Sequence, residues 1–294
     1  MKTPKYVNGI KVSKEQRNLY SVRQKTALWI ACVIFTVYAC TLLYPFVYLV
    51  FGSFKGYLEL RTNPMGLPKT WKFDNYKTVF EEFKIGQMFF NSITLSLGNT
   101  VVSMFLSCMA AYVLAKYSFR GNSAVYTTVI VASMIPTVAS LPATYKLMSN
   151  THLMGTYVGM ILLQCGAFGG AFLYLHAYFK ALPWSYAESA MLDGASDLRI
   201  FFSIMIPLAR KGIMTFTIIR FLGFWNDYWL PSLFYENHPT IAVGLSILSA
   251  EATGSGAHST LFAAMVVSIL PVLVFFAIFQ KQLMGNTIGG GLKE

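Results

Sequence analysis

Six long apolar stretches constrain the fold of this 294-residue chain more than any other feature of its sequence. A helix needs about 20 mostly apolar residues to cross a bilayer. Within such a stretch a helix pairs its backbone donors and acceptors internally, so that no water is required. The stretches that qualify are residues 28–54, 89–114, 124–147, 156–179, 213–233 and 261–279. The sequence therefore predicts an all-α, polytopic membrane protein with six transmembrane helices.

The composition favours a membrane protein over one that binds nucleic acid. The chain is 55% hydrophobic and only 12% charged, and its mean hydropathy is +0.53. A net charge of +11 is compatible with nucleic-acid binding, but in a membrane protein an excess of Lys and Arg mostly reports topology. We therefore expect lipid, and no nucleic acid, around this chain.

The distribution of Lys and Arg predicts the orientation in the membrane. Basic residues are concentrated in the N-terminal tail, in the loops after the second and fourth stretches, and in the C-terminal tail, whereas the loop 231–260 has none. The first loop, 55–84, is an exception, since its six basic residues are offset by four acidic ones. Because basic loops stay in the cytoplasm, both termini are predicted to be cytoplasmic. The predicted parts are an N-terminal tail (1–27), a transmembrane domain (28–283) and a C-terminal tail (284–294).

The sequence gives no sign of catalytic or cofactor chemistry in this chain. The four His show no ligand spacing, and no G-K-[ST] of a Walker loop occurs, so we expect no metal, no ATP hydrolysis and no enzyme. The four cysteines lie in apolar runs without a C-x-x-C pair and are predicted to be buried structural thiols. They are Cys32, Cys40, Cys108 and Cys165.

One charged segment, residues 184–207, interrupts the apolar pattern. It carries Glu188, Asp193, Asp197 and Arg199. At the bilayer centre four charges would cost about 10–14 kcal/mol, whereas seven strongly apolar residues would return only about 2–4 kcal/mol. The charged segment is therefore predicted to lie in water, on the cytoplasmic side.

The charged segment has the pattern of two short amphipathic helices. Gly194 stands where a left-handed residue would end the first helix, and Ser196 can cap the second. Pro207 then begins the return to the membrane. The apolar positions are Trp184, Ala187, Ala190 and Met191 in the first helix and Leu198, Phe201, Phe202 and Met205 in the second. Such stripes either lie on lipid, pack on their own bundle, or dock into a groove of a soluble partner.

The spacing within the charged segment resembles the cytoplasmic signature of ATP-binding-cassette importer permeases. That signature reads E-A-A, three residues, G, nine residues, I-x-L-P. Here it runs from Glu188 through Gly194 to Pro207, with Ser189 and Ile206 as mild departures. The resemblance implies a cytoplasmic coupling-helix (EAA) loop that inserts into a cleft on an ATPase.

Flanking sequence resembles the second permease of carbohydrate-uptake systems of the maltose-transporter type. The similar stretches include "AYVLAKYSFRG" (111–121), "MIPTVASLPATYKLM" (134–148) and "FWNDYWLP" (224–231). The resemblance implies a multi-pass protein of the cell membrane that pairs with a second, homologous permease. It also implies a dimer of cytoplasmic ABC ATPases, which holds the ATP and Mg, and an extracytoplasmic solute-binding protein that delivers a di- or oligosaccharide.

The resemblance also assigns roles to residues of the charged segment. Glu188 and Gly194 are its signature positions, and ATP-driven closure of the ATPases would pull on the loop and rock the bundle. The full set expected to couple to the ATPase is Trp184, Ala187, Glu188, Ala190, Met191, Asp193, Gly194, Leu198, Phe201, Phe202 and Pro207.

Three polar residues of the fifth stretch are candidates for the translocation pathway. Arg220, Asn226 and Asp227 lie in or at the edge of an apolar span, where ionisable groups tend to face a bundle interior or a cavity. Arg220 can also snorkel to the membrane edge. The aromatic residues around them are Trp225, Tyr228, Trp229 and Tyr235, which fit either an interfacial belt or a substrate path. Pro136 and Pro142 are expected to break the third span.

Other transport and enzyme classes are weaker alternatives. An importer permease for another solute, such as a glycerophosphodiester, shares the signature above. A secondary transporter usually has more spans or an internal repeat, and neither is present. An intramembrane enzyme is a further class, but no H-E-x-x-H motif or Ser/His/Asp arrangement supports one.

Overall fold

The computed structural model describes residues 6–7, 10–11 and 22–288, and this part of the chain is almost entirely helical. Strands β1 (Tyr6–Val7) and β2 (Ile10–Lys11) pair antiparallel. The helices are α1 (Val22–Ser53), α2 (Tyr57–Thr62), α3 (Asp74–Glu81), α4 (Ile85–Lys116), α5 (Asn122–Ser133), α6 (Leu141–Asn150), α7 (Tyr157–Gln164), α8 (Gly170–Ala181), α9 (Ser185–Leu192), α10 (Asp197–Ile200), α11 (Ile206–Asn226), α12 (Trp229–Phe234), α13 (Ile241–Ser255) and α14 (His258–Ile288). A 3₁₀ turn spans Thr137–Ser140 and a π turn spans Phe201–Met205.

The structure supports a helical membrane fold but divides the spans differently from the sequence prediction. In the described part, four continuous helices are long and apolar enough to cross a bilayer: Gln24–Ser53, Ile85–Lys116, Asp197–Asn226 and His258–Gln280. The count reaches five if α5 and α6, which meet at an angle of 87°, form one span. The predicted fourth span is interrupted, because residues 165–169 separate α7 from α8.

Proline and glycine explain these interruptions. Pro136 lacks an N–H and stands between α5 and the 3₁₀ turn, whereas Pro142 lies in the first turn of α6, where a missing N–H costs little. The predicted break is therefore at Pro136. Between α7 and α8, Gly169 has a φ of 143°, which residues with a side chain rarely adopt.

Helix α4 lies at the centre of the bundle and packs most extensively against α8 and α11. One buried cluster surrounds the end of α4 that carries Tyr112, and it includes Phe172, Phe179 and Phe201. The charged segment lies at this same end of the bundle. The core therefore anchors that segment directly.

Helix α1 contacts mainly α14 and leaves most of its apolar side chains exposed. Its two thiols, Cys32 and Cys40, are exposed and Cys165 is half-buried, whereas Cys108 is buried. The prediction of four buried thiols is therefore right only for Cys108. A spanning helix needs no protein cover for its apolar surface, because lipid solvates that surface.

The first loop folds into a cap around one buried lysine. Lys55 is fully buried, and its Nζ donates to the carbonyls of Asn63, at 2.8 Å, and Pro64, at 3.0 Å. The amide of Asn75 donates to the carbonyls of Ser53 and Lys55. These bonds close α2 and α3 onto the end of α1.

Candidate functional site

The turn in the charged segment has the predicted left-handed glycine. Gly194 has a φ of 78°, its N–H donates to the Met191 carbonyl at 3.0 Å, and the N–H of Ala195 donates to the Ala190 carbonyl at 2.9 Å. This pairing is that of a Schellman cap, which closes α9. A Cβ on Gly194 would meet no atom of the described residues within 4 Å. The glycine is therefore required by the backbone conformation and not by crowding within the chain.

The second helix of the charged segment is capped as predicted but does not end at Pro207. The Oγ of Ser196 accepts from the Arg199 N–H at 3.4 Å. Helix α10 then continues through the π turn into α11, so that one helix runs from Asp197 to Asn226. The prediction of a separate short helix is wrong. Pro207 has no N–H for the carbonyl four residues earlier, and a π turn accommodates that missing bond within a helix.

The apolar stripes of the charged segment are divided between core and surface. Ala187 and Phe201 are buried and Trp184 and Ala190 are half-buried, because they pack on the cluster around α4 and α8. Of the three alternatives for the stripes, packing on their own bundle therefore holds for these residues, and docking remains open for the rest. The large hydrophobic side chains of the segment that remain exposed are Tyr186 (53%), Met191 (39%), Leu192 (90%), Leu198 (65%) and Phe202 (50%).

The sequence pattern missed Leu192, which is the most exposed of these side chains. Leu192 falls outside the i, i+3, i+4 stripe. Its position as the last residue of α9, next to Asp193 and Gly194, was the sequence signal that could have indicated its exposure. Glu188 and Asp193 are also exposed, and in the part of the chain that the structure describes neither forms an ion pair. The exposed face thus combines apolar side chains with two uncompensated carboxylates.

The end of α4 holds both halves of the charged segment. The Nζ of Lys116 donates to the Leu182 carbonyl at 2.6 Å and lies over the Trp184 ring. The Tyr117 hydroxyl donates to the Asp197 carboxylate at 2.9 Å, and its ring packs edge-on against Trp184. Burial, together with hydrogen bonds to a neighbouring tyrosine and to Asp197, raises the pKa of Tyr117, so its phenol stays neutral and donates.

This attachment was not predicted, although both residues occur in the quoted "AYVLAKYSFRG". A Lys and a Tyr at the end of a span are ordinary interfacial residues, and only the fold brings them to Trp184 and Asp197. The attachment fixes the charged segment to α4 as well as to α11.

Asp227 lies at a break in the fifth span and links it to two other spans. Its Oδ1 accepts from the N–H groups of Trp229, at 3.0 Å, and Leu230, at 3.3 Å, and so caps α12. Its Oδ2 accepts from the Gln164 amide at 2.8 Å, and Gln164 in turn accepts from the Asn99 amide. The predicted interior orientation of Asp227 agrees with this geometry. Gln164 and Asn99 were not predicted.

The other two pathway candidates are not part of this network. The Arg220 guanidinium lies over the Phe224 ring at 4.8 Å and does not reach Asp227. The amide of the exposed Asn226 donates to the carbonyl of Leu222 on its own helix at 2.8 Å. Arg220 and Asp227 therefore do not form a pair.

The aromatic residues near Asp227 form only part of the expected belt. Tyr228 and Trp229 are half exposed, at 50% and 49%. Trp225 and Tyr235 are buried, at 5% and 1%, and the belt interpretation is wrong for these two. They pack inside the bundle, Trp225 beside Phe89.

Comparison with known proteins identifies relatives along most of the chain. Residues 84–284 match the model of the family described as "Binding-protein-dependent transport system inner membrane component". The chain is 29% identical over 264 residues to the diacetylchitobiose uptake system permease protein NgcG of Streptomyces coelicolor, covering 89% of this chain and 87% of that protein. It is 32% identical over 267 residues to the arabinooligosaccharides transport system permease protein AraQ of Bacillus subtilis, covering 89% and 94%.

A solved structure has the same fold. The chain superimposes with a TM-score of 0.76 on a chain of a bacterial ABC transporter involved in the import of the acidic polysaccharide alginate, covering 90% of this chain and 98% of that one. Sequence identity between the two is 22%, so this likeness concerns the fold alone.

Proposed function

This chain belongs to the family of binding-protein-dependent transport system inner membrane components, and we propose that it is a permease subunit of an ATP-binding-cassette importer for a di- or oligosaccharide. The observation that carries the proposal is the family match over residues 84–284, which includes the whole charged segment. The named substrates of its relatives, diacetylchitobiose and arabino-oligosaccharides, support a sugar.

The partners follow from the same family. A second, homologous permease would complete the pathway, and a dimer of cytoplasmic ATPases would hold the ATP and Mg. An alginate transporter with the same fold has been solved in complex with a periplasmic protein carrying an alginate pentasaccharide. That complex supports an extracytoplasmic solute-binding protein as the third partner.

The surface of the charged segment is suited to docking on an ATPase. A fully buried Leu or Phe contributes about 1.5–3 kcal/mol, and Met191, Leu192, Leu198 and Phe202 all expose apolar surface around one rigid turn. The charged segment would lie on the cytoplasmic side, where its two free carboxylates meet a basic partner surface. Of the residues expected to couple to the ATPase, Ala187 and Phe201 would contribute indirectly, because they are buried and pack the charged segment against the bundle.

The helix geometry provides a route from that surface to the pathway. The helix Asp197–Asn226 has 30 residues and is about 45 Å long at a rise of 1.5 Å per residue. The side chain of its first residue, Asp197, accepts a hydrogen bond from Tyr117, and its last residue, Asn226, directly precedes Asp227. Displacement of the charged segment would therefore move α11 as one body and shift the network at Asp227, as alternating access requires.

Photo-crosslinking tests the docking surface. A photo-crosslinking amino acid at Leu192 or Phe202 is expected to capture the ATPase in the assembled importer, whereas one at Ile34, on the exposed face of α1, is not. Capture of lipid alone at Leu192 and Phe202, or labelling of these positions by reagents added outside intact cells, would overturn the assignment.

A binding screen tests the substrate class. The cognate solute-binding protein should be titrated with diacetylchitobiose, arabinotriose, maltotriose and trehalose, and with a glycerophosphodiester as the non-sugar arm. We expect micromolar or tighter binding of one of the sugars. Binding of the glycerophosphodiester alone would keep the importer assignment and remove the sugar.

A further inference from the structure

Three polar side chains meet deep within the bundle, and we call this group the amide junction: Asn99, Gln164 and Asp227. Asn99 is 14 residues from Ile85 and 17 from Lys116, which places it about 21 Å and 26 Å from the two ends of α4. It is 1% exposed. The hydrogen bonds through Gln164 bring Asp227 to the same level. Asn99, to which the other two side chains are linked, therefore lies far from both ends of α4.

Two helix breaks lie side by side at the amide junction. Gln164 is the last residue of α7, and Asp227 follows the last residue of α11. The backbone between α7 and α8 is also tied to α4, since the Ser107 hydroxyl donates to the Ala167 carbonyl at 2.8 Å. At membrane depth, irregular backbone occurs only where protein covers it or where it lines a water-filled cavity. Paired breaks of this kind hold substrate sites in other transporters.

The amide junction has unused hydrogen-bonding capacity. The Oδ1 of Asn99 is buried and accepts no hydrogen bond from the residues that the structure describes, although the Nδ2 of Asn99 donates to Gln164. A buried acceptor without a donor costs about 1–3 kcal/mol. The Asp227 carboxylate, by contrast, already accepts from Gln164 and from two backbone N–H groups. The site therefore lacks a donor rather than a counter-charge.

The glycines beside the amide junction are not covered by neighbouring side chains among the described residues. A Cβ placed on Gly169, Gly170 or Gly223 would meet no atom within 4 Å, and one on Gly166 would meet only the Phe168 carbonyl at 3.8 Å. These glycines flank Gln164 on one side and Asp227 on the other. Both breaks thus have backbone surface that no described side chain covers, whereas Asn99 itself is enclosed.

We propose that the amide junction contacts hydroxyl groups of the sugar during its passage, so that this subunit takes part in substrate recognition. A hydroxyl both donates and accepts, and so it can supply the donor that Asn99 lacks while it accepts from an amide. A cation fits less well, because no group of three His, Cys, Asp or Glu suited to a metal occurs in the described part of the chain. The inference rests on the proposed function and names a site for it.

Transport kinetics of the complete importer test the proposal. Gln164→Met keeps the length of the side chain and removes its hydrogen bonds, and Asn99→Leu removes the unpaired oxygen. Thr217→Val on α11 is the matched control, because within the described part of the chain the Thr217 hydroxyl donates only to the Ile213 carbonyl of its own helix. Uptake of labelled diacetylchitobiose, arabinotriose or maltotriose by proteoliposomes is measured over a range of concentrations, together with thermal unfolding and ATPase stimulation by the loaded binding protein.

The proposal predicts a separation between transport and assembly. Loss of one or two contacts to hydroxyls lowers uptake about 3- to 30-fold in Gln164→Met and Asn99→Leu, with ATPase stimulation near that of wild type. The unfolding temperature should fall by only a few degrees, because each variant also unpairs a polar group of the amide junction. Thr217→Val should transport normally. Unchanged uptake in both variants would overturn the proposal. Losses of uptake that parallel the loss of thermal stability would also overturn it, because they are what we expect if Asn99 binds only a structural water. If wild-type importer takes up none of the three sugars, the proposed substrate class fails instead.

Discussion

The left-handed turn at Gly194 gives a sharp test of how the charged segment works. A residue other than glycine costs about 1–2 kcal/mol in this conformation, and Asn and Asp cost the least. Because a Cβ there would meet no atom within 4 Å, the cost within this chain is conformational only. Gly194→Ala should therefore lower the population of the bent form, and the affinity for the ATPase, by at most about 5- to 30-fold. Gly194→Asn should remain within about twofold of wild type.

Gly194→Asp separates charge from conformation. It tolerates the left-handed turn as Asn does, but it adds a third carboxylate beside Asp193 and Asp197 on a surface that must be desolvated on docking. We expect it to abolish uptake while the protein stays in the membrane. The assay is retention of the ATPase during purification, followed by sugar uptake in proteoliposomes. The reasoning is refuted if Asn impairs retention as much as Ala does, or if Asp transports normally.

Further predictions concern the surface, the attachment and the cap of the charged segment. Glu188→Lys should abolish uptake but not membrane insertion. Glu188→Gln should keep most of the uptake, because the exposed Glu188 carboxylate has no ion pair among the described residues. Equal uptake by the two variants would contradict a role of Glu188 in docking. Tyr117→Phe removes the hydrogen bond to Asp197, and the amount of sugar transported per ATP hydrolysed should fall. If this amount and the unfolding temperature both stay unchanged, the attachment does not transmit motion from the charged segment to α4. Ser196→Ala should lower the free energy of unfolding by about 0.5 kcal/mol, which is the low end for loss of an N-cap. The effect is small because the hydrogen bond from the Arg199 N–H to the Ser196 hydroxyl is 3.4 Å long. Thermal unfolding measures the change, and a loss above about 2 kcal/mol would contradict the prediction.

Local signals in the sequence predicted local structure well. Gly194 and Ser196 were predicted from residue type and position, since a left-handed cap and an N-cap depend on a few neighbouring residues. The apolar stretches likewise predicted a helical membrane protein. Their continuity was harder to predict, because an apolar run of 20 residues looks the same whether its helix is straight or broken at Gly169.

Contacts between distant spans could not be predicted from periodicity. Asp227 stood out as an ionisable residue in an apolar stretch. Its partner Gln164 carries no charge and resembles the many amides that bond only their own helix, as Asn226 does. Phe201 followed a surface stripe, yet it is buried, because α10 continues into α11 and turns that side chain towards α4.

The continuity of α10 and α11 has a mechanical consequence that depends on the π turn between them. A π turn is a weak point in a helix, and a free one would act as a hinge that dissipates a pull on the charged segment. Here Phe201 and Met205, at its two ends, are 4% and 0% exposed, and Phe201 packs on Tyr112 of α4 with ring centroids 5.0 Å apart. Truncating a buried Phe costs about 3–5 kcal/mol, so bending that exposed Phe201 would cost a similar amount. The buried half of the apolar stripe therefore stiffens the helix, and in the proposed importer this stiffness would let a pull on the exposed half move the break at Asp227.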